Sequence, residues 1–377
     1  MALQMRRRLE TGPHWQIALL LTIVMRIVYS GSAAVFSLFL HPDPRLVRSN
    51  MFTGSLPPAS GVHYVWLDIW QRFDTLWYLH IAAQGYDRPA AVTFYPVYPL
   101  LIRVVSFVIS PIAAALLIST VSAFFLFWGF CRLASLDLDP SSVFRGVLLY
   151  AVWPASFIFF AGYADGLAVA LIFWAIYFGR KQQWRAAAVC GGTAGLVRAV
   201  GAVAFVTLAV LAIQSRRARS WPVLLSAVGA LAYPAWLRMS GRVSLSEAYR
   251  DHWHIQIVPP WVTIWHVITT LATTPDVILA TNLVVLVVLC ILATRAPRRL
   301  EYTVYSVVVL VQILMRFEYP LLLGTARYLL ALFPAFLGLA RISVKPWFDR
   351  RFWLACILLL ACNLAWLWAF LGWLLIL

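Results

Sequence analysis

Acidic residues are scarce in this chain. Fourteen aspartates and glutamates stand against thirty lysines and arginines in 377 residues, and charged types together make up only 12%. No polar or Pro/Ser-rich linker runs longer than about twenty residues, so no soluble domain is expected beside the apolar runs. The five cysteines, Cys131, Cys190, Cys290, Cys356 and Cys362, lie in apolar runs without CxxC spacing. That pattern argues for packing residues rather than a disulfide framework or metal ligands. With 63% hydrophobic residues and a mean hydropathy of +0.83, the chain carries more apolar surface than water can solvate. The expectation is an all-α polytopic membrane protein forming one domain over residues 1–377. The net charge of +16 does not point to nucleic acid, because the basic residues collect in short loops between apolar runs, where membrane topology requires them. The N-terminal "MALQMRRRLETGPHW" is basic, but the apolar segment behind it is too long for a signal peptide and holds no small-residue cleavage site. It reads as a retained first span with the N-terminus in the cytoplasm.

The basic clusters are Arg6–Arg8, Arg132 with Arg145, Arg180–Lys181–Arg185, Arg216–Arg219, Arg295–Arg299 and Arg341 to Arg351. Assigning all of them to the cytoplasmic side predicts about eleven crossings. The first covers residues 15–40 and leads to a long outer loop, about 41–110, after which 111–131 returns. Residues 141–180 read as a hairpin turning outside near Gly162–Asp165. Residues 184–214 would make a single helix about 45 Å long, or two short helices hinged near Arg198; the hinge keeps the Arg216–Arg219 cluster inside and is preferred. A second outer segment, about 240–274, follows residues 221–239. Later spans fall at 276–294, 302–321, 327–340 and 352–376. This topology puts Asp74, Asp165, Arg198 and Arg327 at the outer membrane face.

In the first outer loop, "VWLDIWQRFDTLWYLHIAAQG" rotated by about 100° per residue places Trp66, Ile69, Trp70, Phe73, Trp77 and Ile81 on one face. Asp68, Gln71, Arg72, Thr75 and Leu79 fall roughly opposite, Leu79 being the one apolar exception. Such a helix lies in the interface plane and stops near Gly85. Asp74 sits at the edge of the apolar stripe, where partial desolvation raises a carboxyl pKa and makes it a stronger base. Its alternative is an ion pair with Arg72 or Arg88. Asp68 points to water. In "TFYPVYPLLIR" the two prolines push Tyr95 and Tyr98 toward extended geometry, which predicts a non-helical segment. Those tyrosines serve as belt aromatics or as cleft walls.

Arg26 lies near the middle of the first span, where an unpaired charge costs at least about 2.5 kcal/mol, so it must face the bundle interior. His80 is read as a packing residue. His252 and His254, beside Asp251, have HxH spacing but lack a convincing third ligand. Glu247 and Asp251 remain candidates for contacts to a polar substrate.

Five elements carry a resemblance. Arg72-Phe73-Asp74-Thr75-Leu76-Trp77-Tyr78, followed by Ile81-Ala82 and Gly85-Tyr86, resembles the first luminal loop of the PIG-V family of mannosyltransferases and its bacterial relatives. "FYPVYPLL" is similar to that family's FFP-x-FPLL element, and "WPASFIFFAGYADGLAVAL" to its hairpin ending in an acid, here Asp165. "GLVRAVGAV" matches an Arg-x-x-Gly element at Arg198 and Gly201, and "ARYLLALFPAFLGLA" a late Arg-Tyr span at Arg327 and Tyr328. Phe73 stands where the family has tryptophan, Asp165 where glutamate is commoner, and Trp77 where eukaryotic members carry histidine; these departures point to a bacterial-type member in the cell membrane rather than the endoplasmic reticulum.

The resemblance implies a GT-C fold and an inverting transfer of mannose from a polyprenyl-phosphate donor to a lipid- or glycan-linked acceptor. It implies Asp74 as general base, with Arg72, Tyr78, Tyr95, Tyr98, Asp165, Arg198, Arg327 and Tyr328 as substrate contacts. No cofactor or metal is implied. The rival classes are a transporter or flippase, which shares broken helices and intramembrane arginines, and a non-catalytic subunit of a glycosylation complex, which has no need of Asp74.

Overall fold

The computed structural model describes residues 13–40, 61–215 and 218–374. Arg6–Arg8, the start of the expected first outer loop (41–60), Arg216, Arg217 and the end of the expected last span lie outside them. The sheet found among the described residues has two short strands, Gln256–Ile257 paired antiparallel with Arg316–Phe317. The rest of the regular structure is helical, the form that satisfies backbone groups within one segment when the solvent is lipid.

Among the described residues, five helices are long and apolar enough to cross a bilayer: His14–Ser37, Pro111–Ala134, Ser220–Met239, Val277–Thr294 and Phe352–Leu371. A bent pair, Thr325–Ala331 and Phe333–Ser343 at 77°, makes a sixth if taken as one span. The other expected crossings meet shorter helices, among them Pro140–Ala151, Asp165–Arg180, Trp184–Val197, Ala202–Ser215 and Leu300–Leu314. Apolar run length overcounts full spans here because several runs are cut inside. The 184–214 run breaks at Arg198, whose backbone is extended (φ −158°, ψ 155°), so it is two helices.

The described residues fall into two compact units, 13–40, 61–85, 97–170 and 343–374 in one, 86–96, 171–215 and 218–342 in the other. In the first, His14–Ser37 packs on Pro111–Ala134 and Phe352–Leu371. It buries Ala18, Thr22, Met25, Tyr29 and Ala33 at helical period and leaves Leu20, Ile23 and Ile27 outward, as a lipid-facing helix does. Arg26 faces inward as expected. Its guanidinium donates to the Thr120 hydroxyl (2.9 Å from Nε) and to the carbonyls of Leu116 (3.2 Å) and Phe160 (2.7 Å), and lies 5.2 Å from the Phe160 ring. Neutral oxygens and an aromatic face, rather than an acid, hold this charge.

In the second unit, Trp184–Val197 and Leu224–Met239 approach through small residues, the device that lets helix backbones touch where lipid offers no hydrophobic drive. A Cβ on Gly229 would lie 2.0 Å from the Gly192 carbonyl oxygen. One on Gly201 would lie 1.9 Å from that of Ala194, which is why the turn after Arg198 carries glycine. The segment 86–96 is fixed by side chains that bind its carbonyls: Tyr233 Oη to Val92 (2.8 Å), Tyr86 Oη to Phe94 (2.7 Å) and Trp253 Nε1 to Ala90 (3.1 Å). The expected non-helical character of "TFYPVYPLLIR" ends sooner than the prolines indicated. A regular helix starts at Val97, with Pro99 in its first turn, where a missing N–H breaks no bond.

Gly229→Val should destabilise the protein by about 3 kcal/mol through overpacking. Gly31→Ala, with nothing within 4 Å of the added Cβ, should not lower the midpoint. Thermal unfolding in one detergent compares the two.

Candidate functional site

The single interfacial helix expected over residues 65–85 is three pieces: Val62–Trp66, a 3-10 turn Asp68–Trp70 and Asp74–Gln84, the last ending at Gly85 (φ 76°) as expected. The break at residues 71–73 resets the rotation, so face assignments made across it do not hold. Asp68, expected in water, is buried (7% exposed); it accepts from Gln71 Nε2 at 2.6 Å, and its other oxygen lies 2.6 Å from Nδ1 of the exposed His63. Thr75, placed on the same polar face, is also buried. Arg72, expected as a polar-face substrate contact, is only 2% exposed. It donates from Nε to the Leu371 carbonyl (2.9 Å) and from its two terminal nitrogens to the Gln71 carbonyl and the Tyr64 hydroxyl. Its face stacks 4.9 Å from the Trp373 ring. Arg72 is a buried clamp, and the hydrogen bonds it gives go to neutral oxygens rather than to Asp74.

Asp74 is the first residue of its helix and is half-buried, at the end where the helix dipole favours a negative charge. Its backbone N–H donates to Tyr163 Oη at 3.4 Å. Phe73 before it has φ 47° and ψ −117°, a conformation that costs a residue with a side chain about 1–3 kcal/mol. The Phe73 ring is held 5.5 Å from Phe370 and 5.1 Å from Trp373. Behind the helix, Tyr78 meets Tyr98 edge to face at 4.8 Å. The Tyr98 hydroxyl lies 2.7 Å from Ser119 Oγ and 3.1 Å from the Ala115 carbonyl, and Ser119 donates to the Tyr163 carbonyl at 3.3 Å. Tyr98 is fully buried; burial pushes its hydroxyl pKa up, and the Asp165 charge adds to that. Asp165 is buried at the start of Asp165–Arg180.

In the second unit Tyr95 is buried 4.8 Å from Tyr233 within a packed cluster. The guanidiniums of Arg198 and Arg327 both lie 5.8 Å from the Tyr328 ring. A third arginine, not read from sequence, joins them. Arg316 lies 4.4 Å from the same ring and 5.9 Å from that of Tyr249. It donates to Tyr328 Oη at 2.7 Å and forks onto Glu318 at 3.2 and 3.3 Å. Its Nε–H is buried without a partner. The available signal was the polar triplet Arg316-Phe317-Glu318 at the end of an apolar run. Glu247 and Asp251 are engaged locally: Glu247 accepts the Ser244 backbone N–H at 2.8 Å in a capping box, which holds its carboxyl below the usual range, and Asp251 accepts from Arg250 at 2.7 Å. The described residues hold no group of three or more metal-ligating side chains.

No protein-family profile and no curated protein matches the chain. In fold it is similar to ArnT from Cupriavidus metallidurans in a crystal structure bound to undecaprenyl phosphate, with a TM-score of 0.53 and 15% identity. The match covers 90% of this chain and 63% of ArnT. The chain thus has an all-α polytopic membrane fold of the GT-C type.

Arg316→Met leaves Glu318 buried without its partner. Allowing for the arginine side chain's 25% exposure, it should destabilise by about 2 kcal/mol. Adding Glu318→Leu should return most of the loss in a double-mutant cycle on unfolding midpoints.

Proposed function

We propose that the protein is a membrane glycosyltransferase of PIG-V-like type, moving mannose from a polyprenyl-phosphate donor to a lipid- or glycan-linked acceptor with inversion. In this reading the Asp74 carboxylate takes the proton of an acceptor hydroxyl. That oxygen attacks the anomeric carbon, the bond from carbon to phosphate oxygen breaks, and polyprenyl phosphate leaves as an anion. One base suffices for a single displacement. The leaving group is already an anion and needs charge stabilisation rather than an acid.

Arg198, Arg316 and Arg327 fill that second role. Guanidiniums match phosphate oxygens with forked hydrogen bonds, and the partnerless Nε–H of Arg316 is a donor the fold leaves unused. The observation that carries the reading is this convergence on Tyr328, in a chain sharing its fold with a protein bound to undecaprenyl phosphate. Asp165 remains a substrate contact. Arg72, Tyr78 and Tyr98 are buried in the first unit and Tyr95 in the second, and each supports the backbone of its own unit. The assignment to a bacterial cell membrane, with the N-terminus in the cytoplasm, belongs to the same reading.

The test is purified protein with radiolabelled polyprenyl-phosphate mannose and a lipid extract as acceptor source. Wild type should release polyprenyl phosphate, and Asp74→Asn should lower kcat by about 10²–10⁴-fold with its unfolding midpoint unchanged. Equal turnover by both proteins removes Asp74 from its role. No turnover by either, with lipid movement across vesicles by both, replaces the enzyme with a transporter.

A further inference from the structure

The two residues before Asp74 are held by one short stretch at the end of the last helix, Phe370 to Trp373. Phe73 takes a left-handed backbone conformation (φ 47°) with its ring packed against Phe370 and Trp373. Arg72 reaches the same stretch twice, through its Nε–H to the Leu371 carbonyl and by stacking its guanidinium on the Trp373 ring. Trp373 is itself unfavourable as placed. It too has a positive φ (62°), it is 2% exposed, and its indole N–H is buried without a hydrogen-bond partner.

Starting a helix at residue 74 requires none of this. An ordinary extended residue before the first turn begins a helix without strain, as Ser110 and Asp139 do elsewhere in this unit. What the left-handed Phe73 changes is the direction in which the chain enters the helix, and so where its first side chain points. Strain persists only where the surroundings over-determine it, and here those surroundings are the residues around Trp373. On the far side of Asp74, Thr75 fills the space beside Gly162, where an added Cβ would sit 2.6 Å from the Thr75 methyl group. Asp74 is thus clamped from both neighbours.

We propose that Trp373 is a positioning residue for the Asp74 carboxylate: by locking Phe73 and Arg72 it aims the base. The proposal rests on Asp74 being the base, and the experiment separates the two. Trp373→Ala should lower kcat for polyprenyl-phosphate mannose at least tenfold while KM for the donor stays within twofold. Trp373→Phe keeps a ring against Phe73 and removes the partnerless N–H, so it should recover kcat to within threefold of wild type and be at least as stable. A high-resolution structure of Trp373→Ala should show Phe73 returned to negative φ and the Asp74 carboxylate displaced. An unchanged Phe73 overturns the proposal even where no turnover is measured, as does a folded Trp373→Ala protein with kcat within twofold of wild type. If Asp74→Asn is as active as wild type, the base assignment fails, while the structural readout still decides whether Trp373 sets the conformation of Phe73.

Discussion

Every break in a membrane helix frees backbone carbonyls that lipid cannot solvate, and this chain answers with side chains. Arg26 binds the Phe160 carbonyl, Tyr29 that of Ala151, Asn363 that of Trp153 and Arg72 that of Leu371. In the second unit Tyr233, Tyr86 and Trp253 do the same for Val92, Phe94 and Ala90, Tyr305 for Ala331 and Asn282 for Leu322. An unsatisfied buried carbonyl costs about 1–3 kcal/mol, so the few polar residues of this apolar chain are placed where the backbone departs from helix. The functional segments depend on this, because a helix that runs straight through the bilayer offers no exposed backbone turn and no junction at which to hold a reactive side chain.

The same constraint explains the division between arginines. Arg26 is half-buried and Arg72 buried, and both are satisfied by neutral oxygens and rings, so their charge serves packing. Arg316 shares its hydrogen bonds between a carboxylate and a phenol and keeps one donor unused. Arginine suits both tasks: a planar fork satisfies several acceptors at once, and the flat face stacks on aromatic rings.

At Asp74 the contrast is between strain and support. The residue before it carries the unfavourable backbone, while the ring of contacts through Tyr163, Ser119, Tyr98 and Tyr78 closes behind its helix. Rigid support on one side and strain on the other is the arrangement expected where one side chain must be aimed rather than merely tolerated.

Composition and run length by themselves determined the solvent of this protein, its helical class, the inward face of Arg26, the stop at Gly85 and the break at Arg198. These are properties of one segment and the lipid around it. Tertiary structure alone decided which polar residues are buried. Asp68, Arg72 and Thr75 were assigned to water by a rotation carried across residues 71–73, but the chain breaks there: Asp68 meets His63 and Gln71, Thr75 packs beside Gly162, and Arg72 reaches Leu371, 299 residues away. Arg316 joined Arg198 and Arg327 for the same reason: three arginines 118, then 11 residues apart meet at one tyrosine only when separate helices pack. Periodicity reports the face of a continuous helix, and long-range contacts take over wherever the helix ends.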